Sequence, residues 1–192
     1  LIENLPKGFG ATRTGKRNVS WRNDKAATLY WCEALDEGDP SKEVAYRDQV
    51  YQLEAPFTGE KKALVKTIGR FRSLIWGNDA IAVATDRWQK TRMVRTYIFN
   101  PSDGEVLPIL FSERNYQDRY SDPGKFVTTK NEYGKQQLEI INDQAFLIGD
   151  GYSEKGKFPF LDALNLKSLE KKRKYQSKYT DKLENILGAI SM

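Results

Sequence analysis

The chain has 192 residues, 39% of them hydrophobic and 12% aromatic, which suits one ordinary globular domain or a repeat array of roughly three or four units and excludes a disordered chain. It contains no histidine, which excludes a Ser-His-Asp triad and removes the commonest general base and metal ligand, and its one cysteine excludes an internal disulfide. The net charge of +5 is concentrated only at Lys171-Lys172-Arg173-Lys174, and no stretch approaches the ~20 apolar residues of a membrane span, so neither nucleic acid nor a membrane is an expected partner.

The chain begins at Leu1 with no charged-then-apolar leader, which reads as a processed or excised piece of a longer chain. A first unit, residues 15–67, follows. Its expected strands are Asn18 to Trp21, Ala27 to Glu33, Val44 to Leu53 and Lys62 to Lys66, separated by turn chemistry at Asn23-Asp24, Glu37-Gly38-Asp39-Pro40 and Thr58-Gly59. Cys32 falls in the apolar run Thr28 to Cys32 and reads as a buried strand residue rather than a reactive thiol.

A second unit, residues 68–112, repeats the first. The segment Arg17-Asn18-Val19-Ser20-Trp21-Arg22-Asn23-Asp24 returns as Arg72-Ser73-Leu74-Ile75-Trp76-Gly77-Asn78-Asp79, a short strand closed by Trp and a polar turn. Strands are expected at Phe71 to Trp76, Ala80 to Thr85, Val94 to Asn100 and Val106 to Phe111. A tyrosine in the third strand and a Gly-Glu at the following hairpin recur in both units, Tyr51 with Gly59-Glu60 and Tyr97 with Gly104-Glu105. The basic-aromatic run Arg87 to Arg92 reads as the loop between the second and third strands.

The third unit, residues 125–178, is looser: Lys125 to Thr129, Gln137 to Ile141, Ala145 to Gly149, Phe158 to Leu166 and Lys171 to Ser177. From Leu161 to Leu187 no Gly or Pro occurs, which permits a helix. A hairpin across Asn165 to Glu170 is preferred, because that segment falls where the other units turn. Residues 181–192 read as the first strand of a further blade. Units of four short strands wired in sequence by tight turns predict an all-β fold, an incomplete β-propeller of about three four-stranded antiparallel blades. Trp21 and Trp76, with Tyr51 and Tyr97, then mark equivalent blade positions, and the two tryptophans are expected to fill the wedge between blades.

Several runs carry a family resemblance. Leu29 to Pro40, Tyr46-Arg47-Asp48-Gln49-Val50-Tyr51, Glu54-Ala55-Pro56-Phe57, Asp86 to Arg92, Asp118-Arg119-Tyr120-Ser121-Asp122-Pro123-Gly124 and Pro159-Phe160-Leu161-Asp162 resemble the propeller of prolyl oligopeptidase-like serine peptidases. Within that family they are similar to the glutamyl endopeptidase group, members of which are also called dipeptidyl aminopeptidase or acylaminoacyl peptidase. The resemblance spans roughly residues 15 to 180. It implies a propeller that caps an α/β-hydrolase domain, restricts access to its chamber and helps to hold peptide substrates. That catalytic domain is not expected in this chain, since the Gly-x-Ser-x-Gly elbow and histidine are both missing. An exported, periplasmic parent follows from the resemblance alone.

No catalytic residue, metal ligand or cofactor is expected within the chain. For peptide contact the candidates are Arg87, Trp88 and Arg92, with Lys90 beside them, and Arg119 and Tyr120, with Asp118 and Asp122 beside them. The alternative for these arginines is a structural ion pair with a nearby Asp. The expected partners are an α/β-hydrolase domain of the parent, peptide substrates and further copies of the chain itself. The alternative function is a stand-alone propeller that binds protein or glycan.

Overall fold

The computed structural model describes residues 6–104 and 106–188, and every regular element among them is a β-strand. The chain divides into two compact units at the Asn115/Tyr116 bond. The first holds two four-stranded antiparallel sheets. One runs β1 (Arg17–Trp21), β2 (Thr28–Ala34), β3 (Asp48–Glu54), β4 (Lys62–Thr67); the other runs β5 (Arg70–Trp76), β6 (Ala82–Trp88), β7 (Met93–Phe99), β8 (Ile109–Asn115). In both, strand order in the sheet equals order in the chain. This meander is the wiring of a propeller blade, and no sheet closes into a barrel.

The alternation of side chains along the strands builds one core between the two sheets. Cys32, Val50, Leu64 and Val65 from the first sheet meet Phe71, Trp76, Ala82, Ala84, Tyr97 and Phe99 from the second, all buried. Trp76 is 1% exposed. Its ring meets Tyr30 edge-on at 5.4 Å and lies beneath the Arg22 guanidinium at 4.0 Å. Burial of such a ring contributes about 2–3 kcal/mol. Its counterpart Trp21 does not share this role: it is 54% exposed and its ring meets Phe57 edge-on, at 5.9 Å. The core between the two sheets takes buried residues of β2, β3 and β4 from the first sheet and none of β1, so Trp21 lies outside it, whereas β5 contributes Phe71 and Trp76. Tyr97 is buried, whereas Tyr51 is half-buried beside Trp31 with Lys61 over its ring.

The second unit contains β9 (Lys125–Phe126), β10 (Thr128–Lys130), β11 (Gln136–Leu138), β12 (Ile140–Ile141), β13 (Gln144–Gly149), β14 (Tyr152–Ser153), β15 (Gly156–Lys157), β16 (Phe160–Asn165) and β17 (Lys171–Gln176). Here the main sheet is β12-β13-β16-β17, with β9 also paired to β13. Phe126 faces Leu147, the Val127 amide donates to the Phe146 carbonyl, and Ile140 faces Ala145. β9 and β12 therefore occupy one strand position, interrupted by the β10-β11 hairpin. A second small hairpin, β14-β15, lies in the β13-to-β16 connection. These two insertions explain why the third repeat is hard to trace in the sequence.

The preference for a hairpin over a helix at residues 165–170 agrees with the structure: the Asn165 side chain accepts from the Lys167 and Ser168 amides and the chain returns as β17. Boundaries of three expected strands shift. Asp48 opens the third strand, and Val44 to Tyr46 are exposed loop. β6 starts at Ala82 because the Asn78 side chain accepts from the Ala80 and Ile81 amides, which holds those residues in the turn. It then continues to Trp88, paired with Met93, so Arg87 and Trp88 belong to the ladder and the turn is confined to residues 89–92. β8 starts at Ile109 instead of Val106, since Pro108 offers no amide to the ladder, and it extends to Asn115. The strand expected at residues 181–192 is not seen at 181–188, which join no ladder, and 189–192 lie outside the described residues together with Glu105. Among the described residues, no helix is long and apolar enough to cross a membrane.

Candidate functional site

The most polar construction in the first unit lies where the two sheets begin. Asp36 and Asp48 are fully buried, and three guanidinium groups converge on them. Arg47 donates to Asp36 at 2.7 Å, Arg70 grips both oxygens of Asp36 at 2.8 Å each and reaches Asp48 at 3.1 Å, and Arg17 meets Asp48 at 2.5 Å. The second oxygen of Asp48 accepts the Phe71 amide at 2.8 Å. One carboxylate thus ties β1 and β3 of the first sheet to β5 of the second. Buried charges persist only when paired and hydrogen-bonded in this way. Trp88 is held in the same construction: the Arg47 guanidinium stacks on its ring at 3.8 Å and only 8% of the residue is exposed.

A neighbouring carboxylate, Asp86, serves the connection between the sheets. It accepts from the Tyr97 hydroxyl at 2.6 Å and the Gly69 amide at 2.8 Å. Burial pushes its carboxyl above the usual range, and burial together with the Asp86 bond pushes the Tyr97 phenol up as well.

Above this floor the N-terminal arm crosses the sheets. The Thr12 amide donates to the Gly38 carbonyl at 3.0 Å, and Gly10 lies against the Trp88 ring. Between arm and strands opens a cleft of about 610 Å³, lined by Phe9 to Arg13, by Arg17 and Asn18 of β1, by Arg70, Phe71 and Arg72 of β5, and by Arg87 to Gln89. Five arginines line it and no carboxylate does. Arg13 and Arg72 are exposed, and the Arg17 Nε is buried without an acceptor among the described residues. The arrangement can hold anions through planar, bidentate donors.

The candidates named from sequence are thereby separated. Arg87 and Trp88 are in the cleft wall; Arg92 and Lys90 are exposed on the adjoining turn, Arg92 at φ +58°, and do not line it. Arg119 and Tyr120 stand in the second unit, where the Arg119 guanidinium lies 5.3 Å from the Tyr152 ring centre and Tyr120 is 68% exposed. With Lys157 they border a smaller hollow of about 460 Å³. Asp118 and Asp122 accept backbone amides, of Tyr120 and of Gly124, and shape the turn. Sequence reasoning missed Arg13, Arg17, Arg70 and Arg72. A signal was present for two of them, since Arg17 and Arg72 head the two copies of the repeated motif. Among the described residues no group of three or more Cys, Asp or Glu side chains is placed to hold a metal ion.

Comparison with known proteins gives two relatives. Along its whole length the chain is 33% identical to a protein of Oryza sativa subsp. japonica named "Probable glutamyl endopeptidase, chloroplastic" and 32% identical to one of Arabidopsis thaliana with the same name. It spans 21% of the length of each. No family model matches the chain, and no solved structure matches it. The chain is therefore similar to a segment, about a fifth, of proteins named as peptidases.

Proposed function

We propose that this chain is a non-catalytic propeller segment of a serine-type peptidase of the prolyl oligopeptidase type, and that it restricts which peptides reach the catalytic residues. The carrying observation is the match of the whole chain to about a fifth of two proteins named glutamyl endopeptidase, combined with sheets wired as blades. The composition supports the division of labour: a chain without histidine lacks the base that activates a serine nucleophile in a triad. A rigid meander, in turn, is a scaffold for walls and loops rather than for moving chemistry.

The test replaces the aligned fifth of the rice relative with this chain and, separately, deletes it. The 192-residue chain alone is expected to hydrolyse no peptide. The exchanged protein is expected to cleave short peptides while sparing a folded protein substrate, and the deletion to lose that discrimination. Hydrolysis by the chain alone, or unchanged size discrimination in the deletion, overturns the reading.

A further inference from the structure

We infer that the arginine-lined cleft of the first unit recognises a peptide segment carrying two or more neighbouring carboxylates. The inference takes from the access reading only the choice of a peptide as ligand; the site itself stands on the side chains.

Charge is the first argument. Two buried carboxylates, Asp36 and Asp48, are shared among Arg17, Arg47 and Arg70, so the floor is already close to neutral. Arg13 and Arg72 are exposed and additional to that network, and the lining contains no acid. Arg70 and Arg87 are also direct cross-strand partners between β5 and β6. Together they bring two guanidinium-bearing side chains to the same wall of the cleft. All five cations of the wall are arginines, whose planar forks match carboxylates bidentately in a way that lysine does not. The Arg17 Nε, buried and without an acceptor among the described residues, is an unused donor at the same place.

Size and polarity give the second argument. A single carboxylate or a free phosphate fills only a small part of 610 Å³, and Phe9, Ala11, Phe71 and Trp88 supply apolar wall between the arginines. A ligand with separated anions on an apolar backbone fits this alternation, as an acidic peptide does. A nucleic acid would look for an open aromatic platform on which to stack bases. Trp88 does not offer one: it is 8% exposed and Arg47 lies on its ring.

The experiment measures binding, with no turnover, by fluorescence anisotropy of a labelled hexapeptide rich in Glu against its Gln counterpart, using the 192-residue chain. The Glu peptide is expected to bind at least ~10-fold more tightly and to weaken as salt rises. The pair Arg13→Ala and Arg72→Ala, both exposed and outside the ion-pair network, is expected to lower affinity ~10-fold or more with the thermal midpoint unchanged. Lys172→Ala with Lys174→Ala removes the same charge from the second unit and is expected to change nothing. Four outcomes overturn the inference: equal binding of Glu and Gln peptides; equal loss from the two charge pairs; displacement by inorganic phosphate at the peptide's own concentration, which marks a generic oxyanion site; and tighter binding of an oligonucleotide of matched charge. None of them bears on whether the segment limits access to a peptidase.

Discussion

Asp48 and Cys32 sit one strand apart and show how differently a buried titratable group can be held. Asp48, on β3, accepts donors from two other strands, β1 and β5, and serves as a cross-link. Cys32 is 0% exposed in an apolar layer, and burial pushes its thiol up to about 11 from an ordinary 9.0. The sign follows directly. The folded state disfavours the thiolate, so this contribution to stability is complete below pH 9 and is lost as pH rises from about 9 to 11. Two pKa units correspond to about 3 kcal/mol. The Tyr97 phenol is also raised and acts in the same direction at higher pH. Urea denaturation at a series of alkaline pH values is therefore expected to show a steep decline in the native protein and a shallower one in Cys32→Ala. Parallel slopes would place the alkaline sensitivity elsewhere. Without denaturant, iodoacetamide is expected to leave the native thiol unmodified at neutral pH.

At the scale of elements, the arm is the part of the cleft most exposed to single substitutions. Gly38 has φ +75°, and a Cβ there would meet the Thr12 carbonyl oxygen at 1.8 Å. Gly38→Ala is thus expected to cost about 1–3 kcal/mol and to lift the arm from the loop after β2. Calorimetry reads the first effect. Loss of Glu-peptide binding reads the second, because Phe9 to Arg13 form one wall. The hairpins of this fold were legible in the sequence because their turns are written locally, in Asn, Asp, Gly and Pro. What was hidden has physical reasons. Trp88 looked like a loop residue because its neighbours are charged, yet stacking under Arg47 draws it into the ladder. The interrupted first strand of the second unit could not be traced because Phe126 and Ile140, which share the partner β13, are separated in the sequence by the β10-β11 hairpin. The cleft assembles an arm, two strand heads and one strand end that are remote in sequence. Only the repeated Arg17 and Arg72 hinted at it.

At the scale of the whole chain, the two units have separate cores. The first is built on the cluster around Trp76; the second buries Leu138, Ala145, Leu147, Phe160, Ala163 and Leu164. Between Asn115 and Lys125 lies a segment that belongs to no ladder, with residues 117–121 exposed and held by side-chain-to-backbone bonds from Asp118 and Asp122. Such bonds are local and contribute little resistance to opening, about 1 kcal/mol each. Cleavage by a protease needs a stretch of chain that can leave its surroundings, and strands inside a four-stranded sheet cannot do so without breaking ladders on both sides. Limited trypsin digestion is accordingly expected to cut first after Arg119 and in the exposed tail at Lys178 and Lys182, leaving a persistent fragment that carries both sheets of the first unit. Mass spectrometry of the early products identifies the sites. If cuts instead appear first at Arg72 or Arg95, within the β5-to-β8 sheet, then that sheet opens before the connecting segment does. The division of stability drawn from the two cores would then be wrong.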